Sequence, residues 1–157
     1  MSTNVTAETI DYDNWFIELM KELETIGKKP VVQVGWFAGN NPEGGDAGAS
    51  PAEYMFYNIM GTENIESRDV FDKLEDEHGD EIDAMIEDLF FKIAQGRETA
   101  ASALNKVGLE LRKRLIEEQE AFATPPNAPA TIEEKGDNNP LVDNRTAINS
   151  ITYKVDT

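Results

Sequence analysis

The sequence predicts an α+β fold: a small, mostly antiparallel sheet packed with long amphipathic helices and joined by extended loops. Three observations carry this. Apolar residues recur at three- and four-residue spacing along several long stretches, the period of a helix with one buried face. Two short β-branched segments stand near residues 31–37 and 151–155, far apart in the chain but alike in composition. The chain has 157 residues, 39% of them apolar, which suits one core, since domains run to about 100–200 residues. The expected organisation is a flexible arm over residues 1–12, polar and aperiodic, followed by one domain over residues 13–157.

The first helix is expected from Asp13 to Ile26, with Trp15, Leu19, Leu23 and Ile26 on one face and Phe16 and Met20 beside them. Asp11 or Asp13 can accept from its free N–H groups, and Gly27 suits a left-handed ending followed by Lys28 and Lys29. Residues 30–37, β-branched and aromatic with proline only at the start, read as a strand. Residues 39–50 form a glycine-rich loop. It lacks the lysine and spacing of a phosphate cradle, and it carries Glu43 and Asp46, so a surface loop is the expectation.

Ser50, Pro51 and Glu53 form a capping box with proline at the first helical position. The helix they open has Ala52, Met55, Phe56, Ile59 and Met60 as its apolar face, expected to be core, and ends at Gly61. Residues 62–71 read as extended. A long acidic helix follows over 72–95, striped by Ile82, Met85, Ile86, Leu89, Phe90 and Ile93 and punctuated by Gly79 and Gly96. A second long helix covers 97–122, with Ala100, Leu104, Val107, Leu111 and Leu115 facing one way; close packing would explain Gly108 inside it. These two helices could pack antiparallel or run nearly straight on. Residues 123–144, rich in Pro, Asn, Ala and Asp, read as a long loop of functional length. Thr146–Asn149 is a short turn or helix, and 151–155 alternates as a closing strand.

Charge narrows the function. Thirty-one acids face 14 bases, a net charge of −17. Nucleic-acid binding through phosphates needs clustered Lys and Arg, and an anionic membrane surface would repel this chain. No apolar run approaches the 18 residues of a membrane span, and Met1–Ser2–Thr3–Asn4 lacks the basic and apolar regions of a secretory signal. Eleven acids and two bases lie between Glu66 and Asp88, so that stretch alone carries −9. The charge reads either as a solvated face or as a field with a purpose.

Catalytic and metal signatures are weak. With no cysteine there is no thiolate chemistry and no sulfur-ligated metal. His78 is the only histidine; it sits among acids without the HExxH or EF-hand spacing, and no serine lies in a GxSxG turn. The expectation is a protein that is not an enzyme and needs no cofactor or metal.

Several segments together resemble the tail-completion, or head–tail joining, proteins of tailed bacteriophages, also described as minor tail protein Z-like or virion morphogenesis proteins. Val34-Gly35-Trp36-Phe37 is similar to their early strand, and the run from Ala52 to Thr62 to their helix ending in Gly-Thr. Ile65-Glu66-Ser67-Arg68-Asp69-Val70-Phe71 resembles their Ile-Pro-x-Arg-Pro-Phe segment, with Glu66 and Asp69 where the prolines stand. The run from Asn127 to Gly136 resembles their Thr-Ile…Lys-Gly loop. Pro140-Leu141-Val142-Asp143 and Ser150-Ile151-Thr152-Tyr153-Lys154-Val155 resemble their closing motifs, with Asn144-Arg145 replacing a Thr-Gly.

The resemblance implies a structural virion protein of the phage neck, made in the host cytoplasm and not membrane-bound. It would form an oligomeric ring of six copies at the head-proximal end of the tail. Its partners would be itself, the head connector or stopper proteins, and the tail tube or sheath proteins. Genomic DNA would pass through without specific binding, because an acidic wall repels phosphates. Asp72, Glu75, Asp76, Glu77, Asp80 and Glu81 are the candidate channel carboxylates. Asn40, Asn41, Glu43, Asp46, Asn127, Pro129, Thr131, Lys135 and Asp143 are the candidate interface residues, in loops that would order against neighbouring rings. The alternative is an acidic inhibitor that mimics DNA and blocks a host DNA-binding protein.

Overall fold

The computed structural model describes residues 12–39, 50–136, 139–141 and 145–157. The elements run α1 (Tyr12–Gly27), β1 (Val31–Gly35), α2 (Pro51–Met60), α3 (Val70–Ala94), α4 (Ala100–Ala121), α5 (Pro129–Lys135), α6 (Thr146–Asn149) and β2 (Thr152–Asp156). The fold is α+β. β1 and β2 pair antiparallel from Val31 opposite Asp156 to Gly35 opposite Thr152, closing the two ends of the domain together. Asn40, Asn41, Glu43 and Asp46 of the glycine-rich loop, residues 1–11 of the expected arm and Asp143 lie outside the described residues, whereas Tyr12, placed in the arm by the sequence, is the first residue of α1.

An α3–α4 hairpin is the backbone of the molecule. α3 starts at Val70, because the Asp69 carboxylate accepts from the N–H groups of Phe71 (2.9 Å) and Asp72 (3.2 Å). It passes through Gly79 without a break, where the sequence suggests punctuation: the roughly 1 kcal/mol cost of one helical glycine is small beside the packing of a helix of 25 residues. At Gly96 the chain adopts φ 70°, the left-handed region where glycine has no Cβ penalty, and Arg97 N–H bonds back to the Lys92 carbonyl. Thr99 then caps α4 through Ser102 N–H. The two helices therefore turn back on each other: Glu81 meets Arg114, and His78 meets Glu118. This settles the choice the sequence leaves open in favour of antiparallel packing.

The core forms two clusters along this hairpin. At one end Met55, Val70, Leu74, Leu115, Phe122, Leu141 and Ile151 are buried together, gathering α2, α3, α4 and the chain before β2. At the end near Gly96, Leu89, Ile93, Ala100 and Ala103 pack with Ile26 of α1. The sheet lies on α4, where Gly108 is the contact: a Cβ there would fall 2.2 Å from Cδ2 of Tyr153. Arg112 Nε donates to the Ile151 carbonyl at 2.8 Å, and the Trp36 indole donates to the Ala147 carbonyl at 2.8 Å.

Other expectations are corrected. α1 runs through Gly27, and the left-handed residue after it is Lys29, with φ 57°, not the glycine. Asp13 lies inside α1, which begins one residue earlier at Tyr12. The stretch 123–144 is not loop throughout. It contains α5, opened by Pro129 at the first turn and closed by Gly136 N–H bonding to the Ile132 carbonyl. The apolar face of α2 is only partly core: Met55 is buried, whereas Phe56 is 58% and Met60 65% exposed.

The capping box of α2 forms as read. Glu53 N–H donates to Ser50 Oγ at 3.3 Å, and the Ser50 N–H and hydroxyl both donate to the Glu53 carboxylate at 2.9 Å. The Ser50 backbone N–H, then its hydroxyl, hold the Glu53 carboxyl below the usual carboxylate range. A lowered carboxyl contributes stability above its unfolded pKa and loses it as pH falls through the folded value. Ser50→Ala is expected to lower stability by about 1 kcal/mol at neutral pH and by less near about pH 3, read from urea unfolding at both pH values.

Candidate functional site

α3 presents its charge as an ordered ridge. Asp72, Asp76, Asp80, Asp83 and Glu87 follow one another at offsets of four, four, three and four, and all five are exposed. At 3.6 residues per turn they fall within an arc of about 80° and span about 22 Å of helix. Leu74, Met85 and Leu89 turn the other way, into the core that α4 shares. Among the described residues no Lys or Arg pairs with any of the five. The nearest base on the helix, Lys73, lies 5.1 Å from the centre of the Phe122 ring. Like charges one turn apart repel by a few tenths of a kcal/mol per pair, so the ridge is maintained at a small cost in stability.

Of the six candidate channel carboxylates, Asp72, Asp76 and Asp80 stand on this ridge, with Glu75 and Glu77 exposed on its flanks. Glu81 is placed differently. Its carboxylate takes Arg114 Nη2 at 3.0 Å and lies 3.8 Å from His78 Nδ1, so it belongs to the seam between α3 and α4. Arg114 also bonds Glu110 at 2.8 Å and approaches Glu117 at 3.4 Å; Glu110, first of these, raises the guanidinium pKa further. Asp83 and Glu87 complete the ridge beyond the six candidates; the offset pattern from Asp72 onward is the signal that finds them.

Of the candidate interface residues, Asn127 precedes α5, Pro129 opens it, Thr131 lies within it and Lys135 ends it. Asn127 Nδ2 donates to the Asn139 carbonyl at 3.2 Å, and Asn139 Nδ2 donates to the Glu120 carbonyl at 2.7 Å. Buried Gln119 donates to the Leu141 carbonyl at 2.8 Å. This region is thus tied to the domain by its own hydrogen bonds.

Large apolar side chains are exposed at both ends of the hairpin. α1 shows Phe16, Ile17, Met20 and Leu23 to solvent, and α2 shows Phe56, Tyr57 and Met60. Phe90 and Phe91 are also exposed, on α3. The periodicity of the sequence locates these stripes but does not tell which of them the chain covers itself. Patches of this kind mark contact surfaces.

Among the described residues no group of three or more His, Asp and Glu side chains is placed to hold a metal ion, and no helix is long and apolar enough to cross a membrane. The chain matches no family model, no curated protein and no solved structure.

Proposed function

We propose that this chain is a non-catalytic structural protein of a tailed phage's neck. Copies of it would form a ring that completes the tail, joins it to the head connector and lets DNA pass an acidic wall. The observation that carries the reading is the α3 ridge: five exposed carboxylates that pair with no Lys or Arg among the described residues, on a helix braced by α4. Such a surface repels phosphates along its whole length, which suits a conduit and not a DNA-binding site.

Two further features support it. The exposed apolar stripes of α1 and α2 sit at opposite ends of the hairpin, so contact between unlike faces of successive copies would be head-to-tail, the geometry that closes into rings. The family-like segments also fall where the fold is built: Val34 opposite Tyr153 in the sheet, Arg68 buried before α3, Leu141 buried against Gln119.

Purified virions are expected to contain the chain in a few copies, with antibody-gold at the head–tail junction. Particles carrying lysine at Asp76, Asp80 and Asp83 are expected to eject DNA several-fold more slowly in a dye-based ejection assay, with the purified variant melting no lower than the parent. Unchanged ejection, or absence from virions, would sink the reading.

The same ridge favours a second reading, the DNA-mimic inhibitor. Charges about 6 Å apart on a rigid rod suit the basic groove of a DNA-binding protein. Tight binding to such a protein that weakens steeply with salt, together with absence from virions, would select it.

A further inference from the structure

Arg68 is only 9% exposed, and it is buried without an acid. Its Nε donates to the Pro125 carbonyl at 3.2 Å, Nη2 to the Pro126 carbonyl at 3.1 Å, and Nη1 to Asn58 Oδ1 at 3.1 Å. All three acceptors are neutral. Among the described residues no carboxylate lies within ion-pair distance, in a chain with 31 acids. Arg114, by contrast, has three glutamates around it. A guanidinium carries five N–H donors, so two of Arg68's remain uncommitted. A buried charge with hydrogen bonds but no counter-charge leaves an unneutralised positive potential around it.

That potential opens into a cleft of about 870 Å³, which Arg68 lines together with Tyr54, Asn58, Asn64, Asn127 and Thr131. The size lies within the range of small-ligand sites, roughly 300–1,000 Å³. The wall is mostly polar; among the described residues that line it, Arg68 is the one cation and Glu66 the one acid. Glu66 is exposed, with no ion pair to Arg68.

We infer that this cleft binds a carboxylate borne by an extended peptide segment, with the two free N–H groups of Arg68 as its anchor. A guanidinium fork matches a carboxylate with two parallel bonds, and one such fork balances one negative charge. A phosphate dianion would bring a second charge against Glu66 with no second cation to meet it. The side chain of Asn64 offers a polar contact for the peptide flanking the acid. This inference is independent of the phage reading; it concerns what the cleft holds, whichever assembly the chain enters.

The test is an NMR titration of the full ¹⁵N-labelled chain, following the Arg68 Nε–H resonance and the amides of Asn64, Glu66 and Asn127. The probes are acetyl-Gly-Asp-Gly-amide, acetyl-Gly-Gly-Gly with a free carboxyl, its amidated counterpart, sodium chloride and sodium phosphate, all at matched ionic strength. Saturable shifts are expected with either carboxylate peptide, and which of the two binds more tightly tells a side-chain acid from a chain terminus. The amidated peptide and chloride are expected to leave these resonances in place. Glu66→Gln, an exposed change that leaves Arg68's bonds intact, is expected to tighten carboxylate binding by about threefold by removing the like charge. Arg68→Lys is expected to abolish it where the variant folds. Carboxylate shifts no larger than those of chloride, in both the parent and Glu66→Gln, would overturn the inference, as would phosphate binding more tightly than either peptide.

Discussion

Gly108→Ala is expected to destabilise the protein by about 1–3 kcal/mol, although alanine in a helix is favoured over glycine by about 1 kcal/mol. The added Cβ would lie 2.2 Å from Cδ2, 2.6 Å from Cε2 and 2.8 Å from Cγ of Tyr153, all atoms of a rigid ring. The ring cannot yield locally. Its hydroxyl donates to Asn105 Oδ1 at 3.2 Å, and its backbone pairs with Val34 across the sheet. Relief therefore has to come from moving β2 off α4, which loosens the contact that seats the whole sheet. In a Tyr153→Ala background the same glycine change should become neutral or stabilising by up to about 1 kcal/mol, because only the helix preference remains. Urea unfolding of the four proteins measures both signs. An equal penalty in both backgrounds would show that Gly108 is not there for the tyrosine.

Gly108 also marks how far the sequence could be read. A glycine inside a strong helical pattern signals a close approach, and that much is legible locally; that the neighbour is a strand residue 45 positions later is not. The same division holds elsewhere. The Ser50–Glu53 box, the Pro51 start and the Gly61 stop are interactions within a few residues, and all form as expected. Asp69 and the pair Pro129 and Gly136 carry equally local signals for the start of α3 and for α5, but they sit in stretches whose composition reads as loop. Stripe positions on α1 and α2 were legible; which stripe is covered was not. Covering depends on partners distant in sequence, and Phe16, Phe56 and Met60 stay more than half exposed.

The candidate site divides in the same way. An acidic helix is visible in composition, and its ridge in the offsets from Asp72 to Glu87, because both follow from helical period alone. The pairing of Glu81 across the seam depends on Arg114, and the neutral acceptors around Arg68 depend on where residues 125 and 126 pass. Those are facts of packing.

His78→Leu is expected to cost about 2–4 kcal/mol, and it tests the seam that holds the ridge in place. His78 Nε2 lies 3.0 Å from Glu118 Oε1, with the two side chains 16% and 12% exposed. Glu118 has no other hydrogen-bond partner among the described residues, so removing the imidazole strands a largely desolvated carboxylate between two helices. Most of the loss should return in His78→Leu with Glu118→Leu, since two apolar side chains at one seam replace a pair that needed both members. A double-mutant cycle in urea gives the coupling; a coupling below about 0.5 kcal/mol would mean that the pair does not tie α3 to α4. The double variant has a second use. It leaves Asp72, Asp76, Asp80, Asp83 and Glu87 untouched on the opposite face, so a refolded double variant should keep normal DNA ejection, whereas lysines on the ridge should change ejection without lowering stability. Fold and field are then separated: the seam acts on the unfolding equilibrium, and on the proposed function the ridge would act only on ejection.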